Sequence, residues 1–302
     1  MPLPPPDEVR SAGQVLEAFD ALDYLADDRL ATLVLLALRM RRPLFLEGEP
    51  GVGKTEVAKV LASATGGRLI RLPCHEGIDA AQALYEWDHA RQLLHLRAAE
   101  AAGEAAGAGT DALEAGLYQE RFLVRRPLLD AITSGDDPPP VLLIDEIDRA
   151  DDEFEAFLLE ALSDWSVTVP ELGTFRATVP PVVVITSNRT RDVHEALKRR
   201  CLYHWVDHPS LERETAILRR RVPDVAEALA REVADAVARL RSAGLSRPPG
   251  VSESIDWLRA LGILGVDALD ADVVDATLGV VVKDHDDERR VRTAGAAELS
   301  GR

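Results

Sequence analysis

Residues Gly48 to Thr55 read GEPGVGKT, directly behind the apolar run Pro43 to Leu46. A glycine, four free positions and then Gly-Lys-Thr fit the pattern of a phosphate-binding loop. The residue types suit that chemistry. Gly48, Gly51 and Gly53 lack a Cβ, so the backbone can turn tightly and bring several N–H groups to phosphate oxygens. Glu49, Pro50 and Val52 fill the free positions. Lys54 can reach the β- and γ-phosphates, and the Thr55 hydroxyl can hold Mg²⁺. Glu56 and the stretch from Val57 to Ala64 read as a helix whose positive N-terminal end faces the anion.

A second constellation stands at Val141 to Asp148, VLLIDEID. After four aliphatic residues, Asp145 sits where a strand-end carboxylate holds the water shell of Mg²⁺. Glu146 sits where a second carboxylate polarises an attacking water. Asp148 and Asp151 are more simply acids capping the next helix. A third strand end, Thr186-Ser187-Asn188 after Val182 to Ile185, offers an amide that can align a water without adding charge. Asparagine ends many strands, so the force of Asn188 comes from its being the third such end.

These groups need a scaffold that brings strand ends together. Five short apolar runs read as strands: Pro43 to Leu46, Leu69 to Leu72, Val141 to Ile144, Val182 to Thr186 and Leu202 to Val206. Most are continuous rather than alternating, with helical stretches between them, the pattern of a parallel sheet buried on both faces. Ligands bind at the carboxyl ends of such strands. Upstream, Gln14 to Arg41 carries two helical patterns broken at Tyr24 to Asp28, which is either an adenine contact or an ordinary helix corner. Between the second and third runs lies a long excursion, Cys74 to Pro140. Its Ala/Gly/Glu-rich middle, Ala98 to Gly116, is either a helical hairpin or a mobile surface segment, and Leu117 to Ile132 regains an apolar helical pattern. After Ser210 the chain reads as helices: Leu211 to Arg221, Val225 to Ala243, Ser252 to Leu261 and Val266 to Val282. The expected organisation is a loose leader over 1–12, an α/β core over 13–208 with an insertion at about 74–120, a helical lid over 209–292 and a tail over 293–302.

Composition narrows the partners. Formal net charge is −17, a field that repels nucleic acid and anionic membranes. The basic stretches Arg39 to Arg42, Lys198 to Arg200 and Arg219 to Arg221 are too short to make a groove. No apolar run approaches the roughly 20 residues that cross a bilayer. The proline-rich, acidic start does not read as a signal sequence, and two cysteines, Cys74 and Cys201, make no disulfide framework. A cytoplasmic location is the expectation. Cys74-His75 and Cys201 with His204 lack metal-ligand spacing and read as buried thiols with surface histidines. Tyr85 and Trp87 read as packing under the excursion, with contact to a substrate protein as the other reading, and Trp165 as the brace of a β-hairpin.

GEPGVGKT, LLIDEID and the strand-end Asn188, followed by Leu197 to Cys201, resemble the core of an AAA+ ATPase. FLLEALSDWSVTVP ahead of that asparagine resembles the MoxR branch. FLVRRPLLDAI and TSNRTRDVHEALKRRCLYHWVD are similar to the CoxD-like accessory ATPases of molybdenum hydroxylase maturation, carbon monoxide dehydrogenase in particular. The resemblance covers roughly residues 14 to 290. It implies a P-loop AAA+ core with a five-stranded parallel sheet and a small all-α lid, binding ATP and Mg²⁺. Lys54 and Thr55 become the phosphate and Mg²⁺ residues, Asp145 the metal-side acid, Glu146 the catalytic base and Asn188 the first sensor. Arg200, or Arg199 beside it, becomes an arginine finger that enters a neighbour's site in a ring, most often a hexamer. The implied output is remodelling of an immature metalloenzyme, with a partner carrying a von Willebrand factor A domain.

One departure stands out. The family places a second sensor arginine after a Gly-x-Ser stretch, and in Gly250 to Ser254 that position is Ser254; Arg259 lies one turn on. Three other readings are a MoxR-type activase of a different client, a DNA-associated loader or helicase, which the net charge opposes, and an adaptor that binds nucleotide without hydrolysing it, which Glu146 and Arg200 oppose.

Overall fold

The computed structural model describes residues 2–101 and 116–294. Two helices, α1 (Ala12–Asp20) and α2 (Asp28–Met40), lead into β1 (Leu44–Glu47), α3 (Lys54–Thr65) and β2 (Leu69–Pro73). The excursion supplies α4 (Ala80–Leu84), β3 (Tyr85–Trp87), α5 (His89–Ala101), β4 (Leu123–Arg125) and α6 (Pro127–Thr133). Then follow β5 (Val141–Asp145), α7 (Asp152–Asp164), the strands β6 (Ser166–Val169) and β7 (Gly173–Arg176), β8 (Val182–Ser187), α8 (Glu195–Arg200) and β9 (Leu202–Trp205). A run of helices closes the chain: α9 (Leu211–Arg221), α10 (Glu227–Ser242), α11 (Val251–Ile263), α12 (Ala271–Val281) and α13 (His285–Ala294).

Five strands form one parallel sheet in the order β2-β5-β8-β1-β9. The continuous apolar runs have a direct cause. Side chains alternate across a strand, and both faces are covered. Phe45, Leu142, Ile144, Val183 and Ile185 enter the core on one face. Leu44, Leu46, Val141, Leu143 and Val184 enter the other, under α1, α2 and α3. The helices from Leu211 onward have a separate core built on Leu218, Val237, Trp257 and Leu278. The Trp257 indole N–H donates to Thr277 Oγ1 at 2.8 Å, which lets a polar edge sit fully buried.

Several expectations change. The leader is not loose over its described residues: Leu3 and Val9 are buried, and the Leu3 N–H donates to the Ala64 carbonyl at 2.7 Å. The stretch from Leu117 to Ile132 is not one helix. It is a 3₁₀ turn at Glu120–Phe122, then β4, then α6. Pro127 explains the late start, since proline holds Arg126 in extended backbone (φ −90°, ψ 169°) and itself suits the first helical position. β4 pairs with β3, and Tyr85 and Trp87 pack against the sheet's core. The helix expected from Val266 begins at Ala271, because Asp270 caps it by accepting the Val273 N–H at 2.9 Å. α13 has no counterpart in the sequence reading. Most of the Ala98 to Gly116 segment and of the 293–302 tail lies outside the described residues.

Candidate functional site

The phosphate-loop pattern occupies the turn between β1 and α3. Gly51 and Gly53 adopt positive φ, 78° and 96°, which a side chain disfavours. A Cβ on Gly48 would meet the Val206 carbonyl at 2.3 Å, so this close crossing of two backbones also requires glycine. No side chain caps α3, so its first N–H groups remain available to an anion. Lys54 is buried at 6% exposure and turns back along the loop. Its ammonium donates to the carbonyls of Gly48 and Glu49, both at 2.7 Å. Burial pulls its pKa down to about 8, although Asp148, Glu146, Asp145 and Glu49 favour the charged form.

Strand order brings the acids to this loop. β8 lies between β1 and β5, so the end of β8 separates Lys54 from Asp145 and Glu146. Asp145, 3% exposed, accepts from Thr55 Oγ1 at 3.1 Å and Thr186 Oγ1 at 2.6 Å through its Oδ1. Its Oδ2 accepts from Arg71 of β2, at 2.9 Å from Nε and 2.6 Å from Nη2. Thr55 and Asp145 are therefore adjacent hard oxygen donors, the chemistry that suits Mg²⁺. Glu146 leaves the strand in left-handed backbone, φ 58°. Its carboxylate accepts from Asn188 Nδ2 at 3.1 Å and pairs with Arg149 at 2.8 Å.

Asp148 does not cap a helix. Asp151 does, accepting the Phe154 N–H at 2.9 Å. Asp148 is buried beneath the loop after β8, accepting the N–H groups of Asn188 and Thr190 and the Thr190 hydroxyl. Burial alone would raise its pKa; those hydrogen bonds outweigh burial and hold the carboxyl below its usual range. Arg191 completes the support of this loop by binding the Ala150 carbonyl and the buried Glu155.

A cavity of about 630 Å³ opens over the loop and is lined by Gly51 to Glu56, Asp145, Glu146 and Asn188. The Tyr24–Asp27 corner, Val206 to Ser210 and residues of α9 and α11 line much of its remaining wall. Among the described residues, one buried side-chain polar atom lacks a partner, His208 Nδ1, and His208 lines this cavity. The loop's free N–H groups, the buried ammonium and the paired oxygen donors fit a nucleoside triphosphate with Mg²⁺.

The helical region meets the loop backbone to backbone. The Val251 N–H donates to the Gly51 carbonyl at 2.9 Å, and a Cβ on Gly250 would lie 2.5 Å from Gly51 Cα. Ser254, at the position where the resemblance leads one to expect arginine, is fully buried and donates to Glu214 at 2.7 Å, a residue already paired with Arg241. Arg259 pairs with Asp256 and does not line the cavity.

Arg199 and Arg200 also stand outside that cavity. They line a second one of about 340 Å³ with Arg41, Arg42, Trp165 and Leu159. Arg199 pairs with Glu195, while Arg200 donates to the Leu159 carbonyl at 2.8 Å and to Ser163 Oγ. Their helix, α8, is tied to both ends of β1: Arg42 donates to the carbonyls of Arg199, Arg200 and Cys201, and Lys198 pairs with Glu47 at 3.0 Å. Cys74 and Cys201 are buried, free thiols, each pushed up to about 12, by burial first. No metal-holding group of three or more His, Cys, Asp or Glu occurs among the described residues, and no described helix is long and apolar enough to cross a membrane.

The sequence reading missed Arg71, Arg42 and Arg149. Arg71 did leave a trace, as a lone cation one residue before the end of the apolar run Leu69 to Leu72.

Two comparisons bear on this geometry. This chain is similar to solved structures of Thermotoga maritima RuvB, one of which shares the fold. One mutant is 19% identical with a TM-score of 0.50, covering 88% of this chain and 72% of that one. The structure described as the Holliday junction branch migration motor is 18% identical with a TM-score of 0.45, covering 92% and 68%. The model of the AAA domain, dynein-related subfamily, matches residues 43–201, more than half of the chain and the whole span from β1 to the end of α8. The chain belongs to that AAA family and is an AAA+ ATPase-type protein.

Proposed function

We propose that this protein is a Mg²⁺-dependent ATPase of the MoxR branch that works as a ring, most often a hexamer in that branch, and remodels a client metalloenzyme. One observation carries the hydrolytic part. Lys54, the Thr55–Asp145 pair and the Glu146–Asn188 pair converge on one cavity from three adjacent strand ends. Residues 13–208 act as the core and 209–292 as the lid, with the nucleotide held between them and its base toward Tyr24 to Asp27. Bound Mg²⁺ would supply charge neutralisation on the phosphates, held from Thr55 and Asp145. The chain's own residues do the rest. Lys54 gives up two carbonyl partners for phosphate oxygens. Asn188 orients Glu146, which takes a proton from the attacking water once Arg149 releases it. Arg200, with Arg199, reaches a neighbour's γ-phosphate as the finger, which accounts for its absence from its own cavity.

The client follows from the sequence resemblance: an immature molybdenum-containing dehydrogenase of the carbon monoxide dehydrogenase type, with a von Willebrand factor A protein as partner, in the cytoplasm. A Glu146→Gln form should bind ATP, fail to turn it over and co-purify with the client from the native host. DNA-stimulated turnover by the parent protein, or recovery of no client with the Glu146→Gln form, would overturn the remodelling role.

A further inference from the structure

The lid contributes two cations to the cavity wall, and both come from α9: Arg213 and Arg221, with Ile217 between them. Spacings of four and eight place all three on one stripe of that helix. Each arginine reaches an acid of the core. Arg213 meets Asp27 at 3.2 Å and donates to the Leu25 carbonyl at 2.6 Å, at the corner after α1. Arg221 meets Glu56 at 3.3 Å, and Glu56 follows Thr55 in the first turn of α3. Arg221 therefore stands at the phosphate end of the stripe.

The two attachments differ in strength. Arg213 makes two hydrogen bonds, one of them to a carbonyl that cannot move without its backbone. Arg221 makes one long contact, its side chain 38% exposed and that of Glu56 32% exposed. Such a pair is worth little on its own. Glu56 has a second cation as well, Lys59 at 3.1 Å, so it loses little if Arg221 leaves. A polyphosphate at the N-terminus of α3 offers Arg221 more negative charge than Glu56 does, in bidentate geometry. The other side of the lid makes no such offer, since Ser254 points into the lid core and α11 presents glycine to the loop.

We propose that Arg221 is the lid's phosphate-binding residue, held in reserve by Glu56 and transferred to the nucleotide's phosphates when they arrive. The transfer ties α9 to the ligand instead of to the core, so the lid responds to the charge of what is bound. This rests on the cavity's taking a nucleoside triphosphate.

The test compares full-length variants by equilibrium binding of a non-hydrolysable ATP analogue and of adenosine, which has no phosphates. Arg221→Ala should weaken analogue binding about tenfold, the scale of one charge-assisted hydrogen bond, and leave adenosine unchanged. Arg221→Lys should recover part of the loss. Glu56→Gln removes the competitor and should hold or raise analogue affinity. Thermal unfolding without nucleotide should match the parent in all three, since Arg221 is partly exposed. The proposal is overturned if Glu56→Gln weakens binding as Arg221→Ala does, which would make the pair a simple tether. Equal losses for analogue and adenosine, or no loss in Arg221→Ala, would overturn it too. A parent protein that binds neither ligand would instead sink the nucleotide reading of the cavity.

Discussion

The two walls of the cavity are built differently. The sheet wall is made of strand ends in register: Asp145 stands beside Pro73 of β2, and Glu47 beside Ser187 of β8. Its acids Asp145 and Asp148 are buried and satisfied, Asp145 accepting from three residues and Asp148 gripping the loop after β8 at Asn188 and Thr190. The lid wall is attached by one glycine-on-glycine contact and by half-exposed pairs from α9 to Asp20, Asp27 and Glu56. Buried, fully paired networks are costly to disturb, whereas exposed ion pairs exchange partners at little cost. The contrast suits the proposed division, with chemistry on the sheet and response in the lid, and it can be broken at either wall.

The largest effect is expected where the cavity depends on a group it does not contain. Arg200→Ala should leave ATP affinity unchanged and reduce turnover by about 10³, the scale of such arginines in other phosphate-loop enzymes. Mixing it with Glu146→Gln should partly restore turnover in a ring; absence of restoration would place the arginine's role within its own subunit. On the sheet wall, Lys54→Ala removes a buried ammonium that has only carbonyls to leave behind. Triphosphate affinity should fall by about 100-fold, as two charge-assisted hydrogen bonds are lost. Unchanged affinity by fluorescent-nucleotide titration would show that the loop does not cradle phosphates.

The lid wall should break at its one tight contact. In Gly250→Ala the new methyl would stand 2.5 Å from Gly51 Cα, backbone against backbone, so the lid or the loop must shift. Overpacking of this kind costs about 1–3 kcal/mol, and turnover should fall roughly tenfold while α11 itself, free of the clash, stays folded. Hydrogen exchange confined to the loop and the start of α11 would report the shift, and parental turnover would show that the two glycines do not need to touch.

The same contrast explains what could be read in advance. The sheet wall was legible because its chemistry sits on contiguous motifs: a phosphate loop has fixed spacing, and four aliphatics before Asp145 can be little else than a strand buried on both faces. The five runs fall on the five strands within a residue or two, since the alternation into two cores demands apolar residues at every position. Long-range partners were not legible. Arg71 reaches Asp145 across 74 residues of chain, and Arg42 reaches α8 across more than 150. Arginine at those positions looks in sequence like any surface arginine. The lid wall was half legible: Gly250 stood out, but the role of Ser254 depends on Glu214 and Arg241, which only the packing of α9, α10 and α11 brings together. Asp148 was misjudged for the same reason. An acid just before a helix is usually a cap, and the loop it holds lies 40 residues further on.

That acid gives the smallest and most specific prediction. Asp148 titrates from an unfolded value of 3.8 to a lower one in the folded chain. Its contribution to stability is therefore complete above 3.8 and is lost as pH falls through the folded value. Asp148→Asn should lower stability at neutral pH by about 1–2 kcal/mol, since the amide keeps one acceptor oxygen and loses the charge. It should also flatten the fall in stability below pH 4, so that parent and variant converge as the medium becomes more acid. Denaturant unfolding monitored through Trp165 and Trp205 at neutral and acid pH checks this. Parallel curves with no convergence would mean that the Asn188 loop is held by its neighbours rather than by the Asp148 charge, and the sheet wall would then be less firmly anchored than its hydrogen bonds imply.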